Sequence, residues 1–256
     1  MQVPQVRSSK YILFFVPAMF VAGCAHNKND LAANDPAEPT NRTVFGGNLF
    51  VDHHVLRPVA RTYAANVPGS VKHGVHNFST NLNEPKVLVN DVLQGNFSRS
   101  WNTLERFTIN STVGVLGIFD FAQLWGMPYH NADFGQTLGV WGIGPGPDVQ
   151  LPLMGFSNVR DATGSLAGIV LNPTTFVSAG VVSVVRGASS GLGVVDGRAD
   201  TLAVTDDVER NSLDEYASLR AMTTQHRAAF IQEGIQGKVK PDDLAAAANQ
   251  NVISMK

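Results

Sequence analysis

Apolar positions recur with the period of a helix along residues 41–125, and prolines interrupt the recurrence. In "PGSVKHGVHNFSTNL", Val71, Val75, Phe78 and Leu82 stand at 4-3-4 spacing, which puts them on one face of a helix. "SRSWNTLERFTI" repeats the pattern with Trp101, Leu104 and Phe107 or Thr108. Pro58, Pro68 and Pro85 punctuate the region, and Pro68 and Pro85 suit first-turn positions. Further on, Leu213, Tyr216, Leu219, Arg220 and Phe230 give a helix with one moderately apolar side, closed by Gly234 and Gly237. Ser212 with Glu215, and Asp206 with Glu209, have capping-box spacing ahead of it.

Between these regions charge nearly vanishes. Residues 107–185 carry only Asp120, Asp133, Asp148, Arg160 and Asp161, and residues 162–185 carry none. In "SLAGIVLNPTTFVSAGVVSVV", Pro173 divides the run, which predicts two short segments in place of one spanning helix. Core-facing helices keep one polar stripe, whereas helices apolar all round are buried or lipid-exposed. Over 256 residues the chain is 44% hydrophobic but only 16% charged, against a usual ~25%. Much of this surface is therefore expected to face a membrane. A net charge of −2 offers no basic face to nucleic acid.

The single cysteine lies in "KYILFFVPAMFVAGCAHNKND". Arg7 and Lys10 form a positive start, and residues 11–21 are apolar and uncharged. That run is short of the ~20 residues that cross a bilayer but suits a secretory signal. Val21-Ala22-Gly23-Cys24 resembles the bacterial lipobox, in which the cysteine takes lipid and becomes residue one. Ala25 follows, not the aspartate that commonly retains lipoproteins at the inner membrane, so the expected destination is the periplasmic face of the outer membrane. Several acyl chains make a durable anchor. The expected organisation is a lipoprotein signal peptide at 1–23, a lipidated tether at 24–40, a helical body at 41–236 and a disordered tail at 237–256.

Several stretches imitate catalytic motifs. Asp133-Phe134-Gly135 is the magnesium-holding tripeptide of protein kinases, but no His-Arg-Asp loop precedes it and no Ala-Pro-Glu follows. Gly142, Gly144 and Gly146 lack the Gly-Lys-Ser/Thr of a phosphate-binding loop. "VVSVVRGASSGLG" resembles the nucleotide turn of short-chain dehydrogenases, yet no tyrosine has a lysine four places on. It reads better as a flexible turn after an apolar helix. His73 and His76 lie three apart with no acidic or cysteine partner at ligand spacing, so they read as solvated or capping side chains, and no metal is assigned. Asp120 with His130 or Asp133 has the makings of an acid–base pair, but no nucleophile-elbow serine serves it. Structural pairing with Arg106 or Arg160 is the stronger reading. No catalytic residue and no cofactor are expected.

Taken together, "NRTVFGGNLFVDHHVLRPVARTYAANVP", "GVHNFSTNLNEPKVLVNDVLQG", "RFTINSTVGVLGIFD" and "DFGQTLGVWGIGPGPDVQLPLMG…RD" resemble the MlaA (VacJ) family of outer-membrane lipoproteins. The match runs in order over residues 41–161, while the helix around Tyr216, Arg220 and Arg227 is only loosely similar. Asp148 stands where the family usually has tyrosine, and Gly46-Gly47 replaces a more apolar pair. The resemblance implies an all-α fold: a ring of helices embedded in the periplasmic leaflet of the outer membrane around an amphipathic central channel. It implies trimeric porins as partners and retrieval of phospholipid from the outer leaflet. It also implies delivery of that lipid to the periplasmic carrier MlaC, which maintains lipid asymmetry. Rival readings are a membrane-anchored enzyme acting on lipid and a structural lipoprotein held to porins without moving lipid. On the family reading Gly139, Gly142, Gly144 and Gly146, interleaved with Trp141, shape a loop at the lipid path. Asp120, Asp133, Arg160 and Asp161 are candidates for the lumen or for structural pairs.

Overall fold

The structure, a computed structural model, describes residues 34–171 and 180–237. The expected signal peptide, Cys24, the break expected at Pro173 and the expected tail beyond 237 lie outside the described residues.

The described chain is helical except for one hairpin. It opens with α1 (Glu38–Val51), a π-helical stretch (Asp52–Leu56) and α2 (Arg57–Asn66). The folded body starts ahead of the boundary expected at 41, because Asp35 is buried and held. It accepts hydrogen bonds from Asn41 Nδ2 at 2.6 Å, Arg220 Nη1 at 2.7 Å and the Tyr216 hydroxyl. Next comes α3 (Gly69–Leu93), with Pro68 at its N-cap and Pro85 well inside it, not in a first turn as expected. An interior proline forfeits one ladder bond. Here the flanking Glu84 and Val87 are fully buried, and their packing carries the helix through. Asn96 caps α4 (Phe97–Thr112), Asp120 caps α5 (Phe121–Leu124) and Asp133 caps α6 (Phe134–Val140).

β1 (Asp148–Leu151) and β2 (Gly155–Asn158) then form an antiparallel hairpin, with Val149 opposite Ser157 and Gln150 opposite Phe156. It is the small exception to the all-α expectation. Two asparagines seven residues apart on α1 hold it. Asn41 Oδ1 accepts from Gln150 N at 2.9 Å, and its Nδ2 donates to Asp148 O at 3.1 Å. Asn48 donates to Leu151 O at 2.9 Å and accepts from Leu153 N at 2.8 Å. A two-strand ribbon is marginal alone, and the side-chain amides of a helix complete this one. Asp148, which opens β1, has its carboxyl pushed up to about 6 by burial.

α7 (Val159–Leu171), α8 (Gly180–Asn211) and α9 (Glu215–Gln236) complete the described chain. The turn expected at Gly187, Gly191 and Gly193 is instead continuous helix. Each interior glycine costs only ~1 kcal/mol against alanine, and α8 packs on both α2 and α3. Asp206 and Glu209 lie inside α8 and cap nothing. The α9 cap is Asp214, which accepts from Ala217 N at 3.1 Å, and not Ser212. Gly237 ends α9 in the left-handed conformation, whereas Gly234 sits within it.

The helices expected from periodicity are present, and α9 buries Tyr216 on its expected side, but α3 and α4 bury mainly polar side chains. Of α4, the buried residues are Arg99, Ser100, Thr103, Arg106 and Asn110, while Phe97 and Trp101 are 77% and 62% exposed. Of α3, the buried side holds Asn81, Glu84, Val87, Asn90 and Asp91, while Val71 is exposed. Among the described residues the buried set comprises six hydrophobic side chains against nineteen polar or charged ones. A water-soluble domain has the reverse preference.

Candidate functional site

The polar interior begins where α3 lies along α4. Glu84 and Asp91, seven apart on α3, meet Arg99 and Arg106, seven apart on α4. Arg106 Nε donates to Glu84 Oε1 at 3.1 Å, with both side chains 1% exposed, and its Nη2 donates to Asp120 at 2.8 Å. Asp120 also accepts from Asn110 Nδ2 and from Gln123 N, each at 2.9 Å. Asp91 lies 3.4 Å from Arg99 and accepts from Thr103 Oγ1 at 2.8 Å, with His130 Nε2 also at 2.8 Å. Burial pushes the Glu84 carboxyl up to about 7 against the pull of Arg106, and burial holds His130 below its usual range despite Asp91. Asp120 is thus a structural pair with Arg106, and His130 belongs to Asp91, so the acid–base pair considered from sequence does not form.

A second cluster joins α6, α7 and α9. Arg227 reaches both oxygens of Asp133 at 2.7 Å and binds Asp161 through Nε at 2.7 Å. Asp161 also accepts from Arg160 Nε at 2.8 Å and Asn158 Nδ2 at 2.7 Å. Burial raises its proton affinity, but the two arginines overrule this and hold the carboxyl below the usual range. Asp133, Arg160 and Asp161 therefore tie helices together. Arg160, expected as a partner for Asp120 or Asp133, pairs with Asp161 instead, and the partner of Asp133 is Arg227.

The glycine-rich stretch divides by role. Gly139 is helical, not part of the loop, and a β-carbon there would lie 3.1 Å from Ile231. Trp141 caps α6 and donates Nε1–H to the last carbonyl of α3, Leu93, at 3.0 Å. Gly142 and Gly146 hold φ of +87° and +67°, angles that disfavour side chains. Gly144 has no such angle, and open space surrounds it. The Gly146 carbonyl accepts from Asn34 Nδ2 at 2.7 Å, and Pro145 and Pro147 carbonyls accept from the first amides of α7. The loop thus joins α6 to α7 and to the N-terminal segment.

An open cavity with several polar side chains in its lining lies elsewhere, between α3 and α8. A cavity of about 410 Å³ is lined by His76, Ser79, Thr80 and Asn83 from one helix and by Ser189, Ser190, Asp196 and Asp200 among others from the second. His76 Nδ1 lies 3.1 Å from Asp196 Oδ2, so an acidic partner absent from its local sequence arrives from 120 residues away. Tyr63 donates to Asp196 Oδ1 at 3.0 Å, and burial together with the Asp196 and Asp200 charges pushes that phenol up to about 12. α8 is held by its Arg198 on Asp52, by Arg57 on Glu209 at 2.6 Å and by Arg61 on Asp206 at 2.7 Å. Sequence reading missed this site because its halves are far apart in the chain. The available signal was the one-turn spacing of Asp196 and Asp200 beside small residues.

Helices with charges turned inward and aromatic side chains outward define a protein built to contact an apolar surrounding. Among the described residues no helix is long and apolar enough to cross a membrane. The chain belongs to the MlaA lipoprotein family, whose model matches residues 33–230. It is 35% identical over 231 residues to the intermembrane phospholipid transport system lipoprotein MlaA of Escherichia coli K12, covering 87% of this chain and 88% of that one. An uncharacterized protein of Rickettsia felis is 35% identical over 208 residues, 79% of this chain and 80% of its own. A structure solved as the structural basis for maintenance of bacterial outer membrane lipid asymmetry superposes with a TM-score of 0.67. It is 31% identical and covers 77% of this chain and 98% of its own.

Proposed function

We propose that this chain retrieves phospholipid from the outer leaflet of the outer membrane and hands it to a periplasmic carrier of the MlaC type. Cys24 anchors it by lipid on the periplasmic side, and trimeric porins hold it in place. The observation that carries the reading is the inverted helix: Phe97 and Trp101 outward on the same helix that buries Arg99 and Arg106. An apolar outer wall suits hydrocarbon, and the groove between α3 and α8 supplies a polar lining for the headgroup, as part of the amphipathic channel. The family's transport lipoproteins support the direction of the assignment.

Deleting the gene should raise outer-leaflet phospholipid, and restoring it should reverse the rise. Unchanged asymmetry would contradict the proposal, and accumulation of lysophospholipid dependent on the protein would favour the enzyme reading. The anchor is checked by mass spectrometry of the N-terminal peptide. It predicts an acylated Cys24 as first residue, and an unmodified thiol would contradict it. Co-purification with porin, and transfer of labelled lipid to the carrier in vitro, test the two partners.

A further inference from the structure

The groove between α3 and α8 is asymmetric in charge. Asp196 and Asp200 stand one turn apart on α8, and each has a carboxylate oxygen within 4.8 Å of the other's and of a His76 ring nitrogen. Among the described residues no lysine or arginine lines the cavity. The nearby Arg198 is turned away onto both oxygens of Asp52, at 2.6 and 2.8 Å. Asp196 itself is buried, and its bonds go to the neutral phenol of Tyr63 and to His76. One turn along α3 from His76, the Ser79 hydroxyl is buried, lines the same cavity and has no hydrogen-bond partner. Buried hydroxyls are ordinarily satisfied, so this one marks a place where a ligand oxygen gains a bond.

We propose that this groove selects amine-bearing zwitterionic phospholipid headgroups over anionic ones. The ammonium lies among Asp196, Asp200 and His76, and the phosphate oxygens accept from Ser79 and Thr80. This deepens the transport reading of the same groove and rests on it. One helical turn, ~5.4 Å, separates the two subsites, which a two-carbon bridge between phosphate and ammonium spans. A volume of about 410 Å³ falls in the ~300–1,000 Å³ range of small-ligand sites. An anionic headgroup brings its charge to two carboxylates with no lysine or arginine among the described lining residues to answer it.

The test uses the full lipidated protein. It is equilibrated with detergent micelles holding equal amounts of phosphatidylethanolamine and phosphatidylglycerol of the same acyl chains, and retained lipid is counted by mass spectrometry. A charge-assisted hydrogen bond predicts about a tenfold excess of phosphatidylethanolamine on the wild type. Asp196→Asn with Asp200→Asn should bring the ratio near one, chiefly through loss of phosphatidylethanolamine. Asp200→Lys, at an exposed position that leaves the Tyr63 bond intact, should reverse the preference even if the double variant folds poorly. Equal retention by the wild type, a ratio unmoved by the variants, or a preference abolished by chelating divalent cations would overturn the proposal. Retention of neither lipid would instead overturn the transport reading beneath it.

Discussion

Gly142 and Gly146 differ from Gly144 in one physical respect, the sign of φ. Alanine at either of the first two should cost about 1–2 kcal/mol in strain. The cost should be larger at Gly146, where the added carbon lies 3.2 Å from the Val159 side chain. Gly144→Ala should be close to neutral. Thermal melting of the three variants should rank them in that order, and equal losses would contradict the assignment. Glu84 gives a second residue-level prediction. Its folded value of about 7 is above its ordinary 4.5, so its contribution to stability is present at low pH and is lost as pH rises through 7. Relative to Glu84→Gln, which does not titrate, the wild-type melting temperature should therefore fall from roughly pH 4.5 to 7 and run level above that. Parallel curves would refute it.

At the scale of elements, the contact of α6 with α7 rests on Gly135 and Gly164, where an added β-carbon at Gly164 would fall on the Gly135 backbone. Backbone cannot swing aside as a side chain can. Gly164→Ala should push the helices apart and cost about 1–3 kcal/mol or more. Gly168→Ala, 3.3 Å from the movable Phe134 ring, should cost less. Calorimetric unfolding compares them, and a larger loss at Gly168 would mean the close approach is not rigid. The helices themselves were legible in the sequence, because period survives whichever side is buried. The facing of α3 and α4 was not, since reading Trp101 and Leu104 as core assumes water outside. The heptad spacing of Glu84–Asp91 and Arg99–Arg106 carried the correction, but only once both helices are set side by side. The hairpin escaped notice because four-residue strands held by Asn41 and Asn48 leave no periodic trace. The cap at Asp214 was displaced by two better-spaced imitations that lie at or before the end of α8.

On the scale of the whole molecule, the depletion of charge over residues 107–185 was the legible sign of an apolar surrounding. The described part of that region exposes Leu124, Trp125, Leu153 and Leu166. The groove left only the one-turn spacing of Asp196 and Asp200 in the sequence, since His76 and Asp196 meet only in the folded chain. Aspartate at Trp101 or Leu166 should leave the polar interior intact yet cost up to ~3 kcal/mol of membrane partitioning. More protein should therefore be released on alkaline extraction, and unchanged retention would contradict an outer wall in lipid. The most direct measurement is spin labelling of the lipidated protein in outer-membrane vesicles, one label at a time at positions 101, 125, 166 and 83. Relaxation by oxygen, which concentrates in hydrocarbon, should dominate at the first three positions, and relaxation by a water-soluble nickel chelate should dominate at position 83 in the groove. Nickel accessibility at all four would show a protein surrounded by water and contradict the inverted architecture on which the transport assignment stands.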